Sequence, residues 1–259
     1  MDENEKGVVN LQDLPPVFFE IHQDMEREAP GRDKYTRQAF EIIPPLEKPL
    51  ILDIGCGPGG ATRELARLSS GFVTGLDFYF PYLSSLKKEA ADAALSSRIG
   101  TVRASMDALP FKAESFDILW AEGAIYIIGF EHGLLQWRPF LRPRGYLAVH
   151  EMTWLQDNPP EEIADYWKAA YPGITTISAN LRQIEACGYE LTGHFPLPED
   201  AWWEGYYGPL EKRLKKLREK YHDNQDALAV IEEEQKEIDL YRKYNQWYGS
   251  VFYIMRKAQ

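Results

Sequence analysis

The chain has 259 residues, 44% of them hydrophobic, and its 40 acidic and 29 basic side chains give a formal net charge of −11. That composition suits one domain, or one domain with an appendage, and the negative balance disfavours a phosphate backbone, hence nucleic acid, as partner. The longest apolar stretch, Phe116 to Phe130, is broken by Asp117 and Glu122 and is shorter than the roughly 20 residues of a bilayer span, so no membrane segment is expected.

Met1 to Glu5 lacks the charge and apolar run of a signal peptide, and the two cysteines, Cys56 and Cys187, give neither a disulfide framework nor zinc-site spacing. A cytoplasmic protein without a metal is the simplest expectation. Val17, Phe18, Ile21, His22 and Met25 recur at helical spacing before Pro30-Gly31, which predicts a leading helix on the main domain. A second helix is expected from Tyr35 to Ile43, stopped by Pro44-Pro45.

Leu50 to Ile54 is a continuous apolar run ending in glycines and reads as a strand buried on both faces of a parallel sheet. A helical stripe at Ala61, Leu65 and Leu68 follows. The alternation continues with strands at 72–76, 99–104, 116–121 and 146–150 and helices at 82–91 and 134–141. Helices at 161–170 and 178–187, the latter closed by Gly188, lead to a strand at 189–195. This rhythm predicts βαβ units, hence a doubly wound α/β sheet with helices on both faces. Residues 198–246 are polar, aromatic-rich and helical in pattern, and read as an insertion before a final strand, Tyr248 to Met255. The expected organisation is an N-terminal helical segment at 1–34, a main domain at 35–197 with 247–259, and a helical lid or acceptor cap at 198–246.

Asp53-Ile54-Gly55-Cys56-Gly57-Pro58-Gly59-Gly60 lies between a predicted strand and a predicted helix, where glycines let a ligand approach the backbone. Gly55, Gly57 and Gly60 also satisfy the dinucleotide pattern G-x-G-x-x-G, so an NAD-dependent oxidoreductase is the competing enzyme reading. Asp53 opposes it, because a carboxylate beside the first glycine repels a pyrophosphate and attracts a cation. Cys56 reads as a small loop residue rather than a nucleophile, with no histidine nearby in sequence to lower its pKa.

The segment resembles the class I S-adenosylmethionine (SAM)-dependent methyltransferases, whose first motif is an acid followed by G-x-G-x-G, here Asp53, Gly55, Gly57 and Gly59. The next landmarks follow in order: Asp77 ending the second strand, then Ser105-Met106-Asp107 after the third. The Glu-Gly-Ala-Ile-Tyr segment at 122–126 is similar to that of uncharacterised bacterial and archaeal small-molecule members. The resemblance implies SAM as cofactor, with Asp77 on the ribose hydroxyls, Asp107 on the adenine amino group, and Phe78 and Met106 against the adenine. It also implies a seven-stranded sheet of order 3-2-1-4-5-7-6 with the last strand antiparallel. A SAM-binding sensor without turnover is the non-enzyme alternative.

The fourth strand runs into Trp120-Ala121-Glu122-Gly123-Ala124-Ile125-Tyr126, where methyltransferases of amide or base nitrogens carry Asn-Pro-Pro-Tyr; the difference favours a small-molecule acceptor. Glu122 and Glu151, after strands four and five, are the candidate acceptor-orienting or proton-accepting residues, and Glu122 is also a candidate ligand of the cofactor's ammonium group. Alternation along 146–151 would turn His150 into the sheet packing. Aromatic residues Phe18, Phe19, Tyr126, Trp154, Trp202, Trp203, Tyr206 and Tyr207 are placed to surround a sulfonium or pack a lid. Lys212, Arg213, Lys215, Lys216, Arg218 and Lys220, with Glu232, Glu233, Glu234 and Glu237 on the next helix, read as a solvated, charge-paired hairpin.

Overall fold

The computed structural model describes residues 15–22 and 25–259, so Met1 to Glu5 lies outside the described residues. Helix α1 spans Pro16–His22 and α2 spans Asp33–Ile42. Met25 is buried but lies beyond α1, because the backbone from Met25 to Arg32 is irregular. The alternating core runs β1 (Leu50–Ile54), α3 (Gly60–Leu68), β2 (Phe72–Asp77), α4 (Phe80–Asp92), β3 (Ile99–Arg103) and β4 (Phe116–Glu122). A 3-10 turn at Ile125–Ile127 leads to α5 (Phe130–Trp137), which starts earlier than its apolar pattern suggests. Leu141, expected at the end of that helix, opens β5 (Leu141–Trp154) instead.

Helix α6 (Glu161–Ala170), the two-residue strand β6 (Thr175–Thr176), α7 (Ile177–Ala186) and β7 (Tyr189–Pro196) follow. Thr176 caps α7 by accepting the Ala179 N–H, and Gly188 at φ 79° closes it as expected. The insertion folds as α8 (Glu199–Trp202), a π-helical turn (Trp203–Tyr207), α9 (Gly208–Lys220) and α10 (Gln225–Tyr244), before β8 (Tyr248–Lys257). The strands order as β3-β2-β1-β4-β5-β8-β7, the expected order once β6, which pairs with β5 outside that path, is set aside. Pairs between β1, β2, β3, β4 and β5 are parallel, and β8 is antiparallel to both neighbours.

Successive strand residues feed opposite faces. Ile51, Ile118, Trp120, Ala148 and Phe252 join one apolar cluster, whereas Leu52, Leu119, Leu147, Val149 and Val251 join the other. The first cluster extends without a break into the insertion through Trp202, Leu210, Leu214, Leu217, Ile238 and Tyr241. Trp202, 1% exposed, stacks on Tyr241 with ring centroids 4.2 Å apart. The insertion therefore packs on one face of the sheet, and ligands in such folds bind at the carboxyl ends of the parallel strands. Among the described residues, no helix is long and apolar enough to cross a membrane.

Candidate active site

Asp53, near the end of β1, is 1% exposed and accepts a hydrogen bond from the Thr62 hydroxyl at 2.5 Å. Burial raises its pKa to about 7, against the pull of that hydroxyl. The loop that follows needs glycine for two separate reasons. Gly57 adopts φ 52°, a left-handed conformation, and a Cβ at Gly55 (φ 68°) would stand 2.5 Å from the Ala124 Cβ. Asp77, ending β2, accepts the Gly57 N–H at 2.9 Å and the Tyr79 N–H at 2.8 Å, so it clamps the glycine loop. Burial lifts its pKa, and these N–H donors oppose the rise.

Between the glycine loop and the end of β4 lies a cavity of about 50 Å³, lined by Asp53, Gly55, Cys56, Gly57 and Glu122 of the expected set. Glu122 accepts hydrogen bonds from the Thr36 hydroxyl at 2.7 Å and the Trp120 indole at 2.9 Å, and its other oxygen lies 3.5 Å from Arg27 Nε. Arg27, on the irregular stretch after α1, donates to Asp33 at 2.9 Å and Thr36 at 3.2 Å. Its Nε–H is buried with no hydrogen-bond acceptor among the described residues.

Arg27, Glu28 and Ala29 complete the cavity wall, and sequence reasoning missed them because their stretch has no periodic pattern. Gly123 was the one available signal: it sits at φ 66°, and a Cβ there would stand 2.2 Å from the Ala29 Cβ. His150 is packed in the sheet as expected, 2% exposed and edge-on to Phe252 at 5.1 Å, and it also lines the cavity. Its Nδ1 lies 2.7 Å from the Ser250 hydroxyl, and burial lowers its pKa to about 4, leaving the ring neutral at physiological pH.

Phe78, Met106 and Asp107 do not line the cavity. Phe78 is 41% exposed, and the Asp107 carboxylate is exposed and pairs with His132 at 2.8 Å. Met106 reaches within 3.3 Å of a Cβ placed on Gly55. Trp137 Nε1 donates to the Met106 carbonyl at 2.8 Å and Gln136 to that of Asp107 at 3.1 Å, so α5 fixes this segment. Gly59 instead makes room for Leu86, which a Cβ would approach to 2.3 Å. The Cys56 thiol is buried and its pKa stands well above the usual range, as an inert loop residue requires.

Glu151 is not brought to Glu122. Pairing with Val251 puts it on the opposite face of the sheet from His150, which pairs with Phe252. It is 2% exposed, neither carboxylate oxygen has a hydrogen-bond partner among the described residues, and burial raises its pKa to about 8 against the effect of the nearby Tyr171 hydroxyl.

The charged hairpin forms in part, with Arg218 on Glu232 at 2.8 Å. Glu234 and Glu237, expected on the same solvated face, instead turn inward. Glu234 lies 3.5 Å from His22, whose other ring nitrogen is 3.2 Å from Glu28, and Glu237 accepts the Tyr207 hydroxyl at 2.7 Å. Trp202 and Tyr207 are core residues, each 1% exposed, whereas Tyr126 is 47% exposed.

Burial alone would lower the pKa of His22, but hydrogen bonding to Glu234 and Glu28 carries it from 6.5 to about 9. A proton held more tightly in the folded state stabilises fully below pH 6.5 and ceases to do so as pH rises through about 9. Glu237, raised from 4.5 to about 7 by burial and Glu234, acts with the same sign over a lower window. The thermal midpoint is therefore expected to fall as pH increases from about 6 to 9, and to fall less in His22→Asn; scanning calorimetry at both pH values checks this.

Residues 51–145 match the family described as "Methyltransferase domain". The matched segment is less than half of the chain. It holds the glycine loop, Asp77, Asp107 and Glu122, while Arg27 and His150 reach the cavity from outside it. A sterol 24-C-methyltransferase of Gibberella zeae is 27% identical over 214 residues, covering 76% of this chain and 53% of that protein. Another, from Saccharomyces cerevisiae, is 27% identical over 64% of this chain and 45% of its own length, so the chain spans about half the length of these relatives. Among solved structures, a SAM-dependent methyltransferase from Geobacter sulfurreducens in complex with S-adenosyl-L-homocysteine superposes with a TM-score of 0.81 at 19% identity, covering 94% of this chain and 98% of that one. The [4+2]-cyclase SpnF has a TM-score of 0.74 at 18% identity, with coverage of 94% and 92%. The chain thus has the class I methyltransferase fold, which also carries other chemistry.

Proposed function

We propose that the chain is a SAM-dependent methyltransferase that acts on a small-molecule acceptor in the cytoplasm. One observation carries this reading: a buried cavity beside the glycine loop is walled by both signs of charge, Asp53 and Glu122 against Arg27. An α-amino acid end beside a sulfonium needs that mixture, with carboxylates for its cations and a guanidinium for its carboxylate. The orphaned Arg27 Nε–H supports the fit. Asp77 keeps a free lone pair on each oxygen for ribose hydroxyls, and the exposed Phe78 ring and Asp107 carboxylate suit an adenine. The cavity is smaller than a whole nucleoside, so the ligand extends from it along Asp77 toward Phe78 and Asp107. A dinucleotide is the poorer fit, because Asp53 and Glu122 would face its pyrophosphate.

SAM supplies a methyl group already activated by its sulfonium, so the protein's task is to bind, orient and exclude water. Glu122, held by Thr36 and Trp120 and facing Arg27, acts as a cofactor ligand in this reading. Glu122→Gln is expected to weaken SAM binding about tenfold or more while the pH profile of turnover keeps its shape, since a charge-assisted hydrogen bond contributes about 1.5–3 kcal/mol. Residues 198–246 cover the acceptor side. Titration calorimetry with SAM and with NAD tests the cofactor, and transfer of label from methyl-labelled SAM to a metabolite extract tests turnover. Tight NAD binding without SAM binding would sink the proposal, whereas SAM binding without transfer would leave a sensor.

A further inference from the structure

In the functional reading the cofactor's amino-acid end occupies the cavity and its ribose lies at Asp77, so the sulfonium falls between them. Gly57 spans that junction, because it lines the cavity and its N–H donates to Asp77 at 2.9 Å. Glu28 packs against it. The Glu28 side chain lines the same cavity, and its Cγ lies 3.5 Å from a Cβ placed on Gly57. Burial raises the Asp77 pKa and the charge of Glu28 adds to the rise, so that charge also reaches Asp77.

The Glu28 carboxylate is held by groups from separate parts of the chain. His22 Nδ1 of α1 lies 3.2 Å from it, and the Tyr82 hydroxyl of α4 bonds to it. His22 Nε2 lies 3.5 Å from Glu234 of α10, so one imidazolium is shared between two carboxylates and the group keeps a net negative charge. The Glu28 side chain is 23% exposed, so water screens it only in part. A sulfonium has no N–H or O–H to donate. What stabilises it is negative charge nearby in a poorly screened site, and a carboxylate fixed by other partners still supplies that charge.

We propose that Glu28 recognises the cofactor's sulfonium and so separates SAM from S-adenosylhomocysteine by charge. This rests on the SAM-dependent reading. The two molecules share the ammonium, the carboxylate, the ribose and the adenine, and differ by one methyl group and one positive charge. Asp53, Glu122, Arg27, Asp77 and Asp107 face shared groups and act on both molecules nearly alike, whereas a carboxylate beside the sulfur favours the cation. Methyl transfer removes that charge, so the attraction ends with turnover and the product leaves more readily than the cofactor.

The test is calorimetric titration of the full chain with SAM, S-adenosylhomocysteine and sinefungin, in which a carbon bearing an ammonium group replaces the methylsulfonium. SAM and sinefungin should each bind about tenfold more tightly than S-adenosylhomocysteine, or better. Glu28→Gln keeps the side chain's shape and an acceptor for His22, and should bring the three affinities within about threefold of one another by weakening the two cations. Equal affinity of the native chain for SAM and S-adenosylhomocysteine overturns the inference. So does an equal loss for all three ligands in Glu28→Gln, which marks a purely structural role. In both cases SAM binding by the native chain keeps the functional reading. A native chain that binds neither SAM nor S-adenosylhomocysteine overturns both.

Discussion

Asp77→Ala is expected to weaken SAM binding by at least tenfold, and by about a hundredfold if both ribose hydroxyls donate to the carboxylate. Each charge-assisted hydrogen bond contributes about 1.5–3 kcal/mol, and about 1.4 kcal/mol corresponds to a factor of ten. The structure adds a second effect, because the same carboxylate holds the N–H groups of Gly57 and Tyr79. Losing both acceptors loosens the loop, so the alanine variant should also unfold at lower temperature. Asp77→Asn keeps one acceptor oxygen, hence one of the two loop contacts, and loses the charge, so it should fall between the native chain and the alanine variant in both affinity and thermal midpoint. Calorimetric titration of both variants decides the matter: unchanged SAM affinity in the alanine variant removes Asp77 from the cofactor site.

Trp202→Ala should be the most damaging substitution for stability. The ring is 1% exposed, stacks on Tyr241 at 4.2 Å and meets Tyr248 of β8 edge-on at 6.5 Å, so it joins the insertion to the sheet. Removing a buried tryptophan costs about 3–5 kcal/mol through lost transfer energy and the cavity left behind. At roughly 2–4 °C per kcal/mol for a chain near this size, the midpoint should fall by about 6–20 °C. Thermal unfolding followed by far-UV circular dichroism measures it. A fall of a degree or less would mean that the insertion folds apart from the sheet. The same shared core predicts that replacing residues 198–246 with a short linker strips one sheet face, so point substitutions are the better probes of the cap.

The sheet was legible because its signals are local: apolar runs bounded by glycine, with β1 matching its expected limits of Leu50 and Ile54. The glycine loop, Asp53 and Asp77 were legible for the same reason. Helix α5 was misplaced because Phe130 to Gly133 has no clear stripe in isolation, and its start depends on packing against Ile125. Arg27 and Ala29 were illegible: only the fold brings an aperiodic stretch against Gly60 and Gly123. Glu234 and Glu237 were misread because a run of glutamates beside a basic helix suggests solvent. Their burial depends on His22 and Tyr207, partners distant in sequence.

Strand β5 places His150 and Glu151 on opposite faces, one lining the cavity beside the glycine loop and the other against Tyr171. Which compartment an ionisable group serves is thus settled by the parity of its position. The ladder fixes that parity by pairing His150 with Glu122 on one side and Phe252 on the other. Deleting one residue between Gly145 and His150 would slip the strand and exchange the two faces' chemistry, presenting a carboxylate where a neutral imidazole now stands and an imidazole to Tyr171. A substitution in β5 therefore alters one face of the sheet, whereas an insertion or deletion there would rewrite both at once.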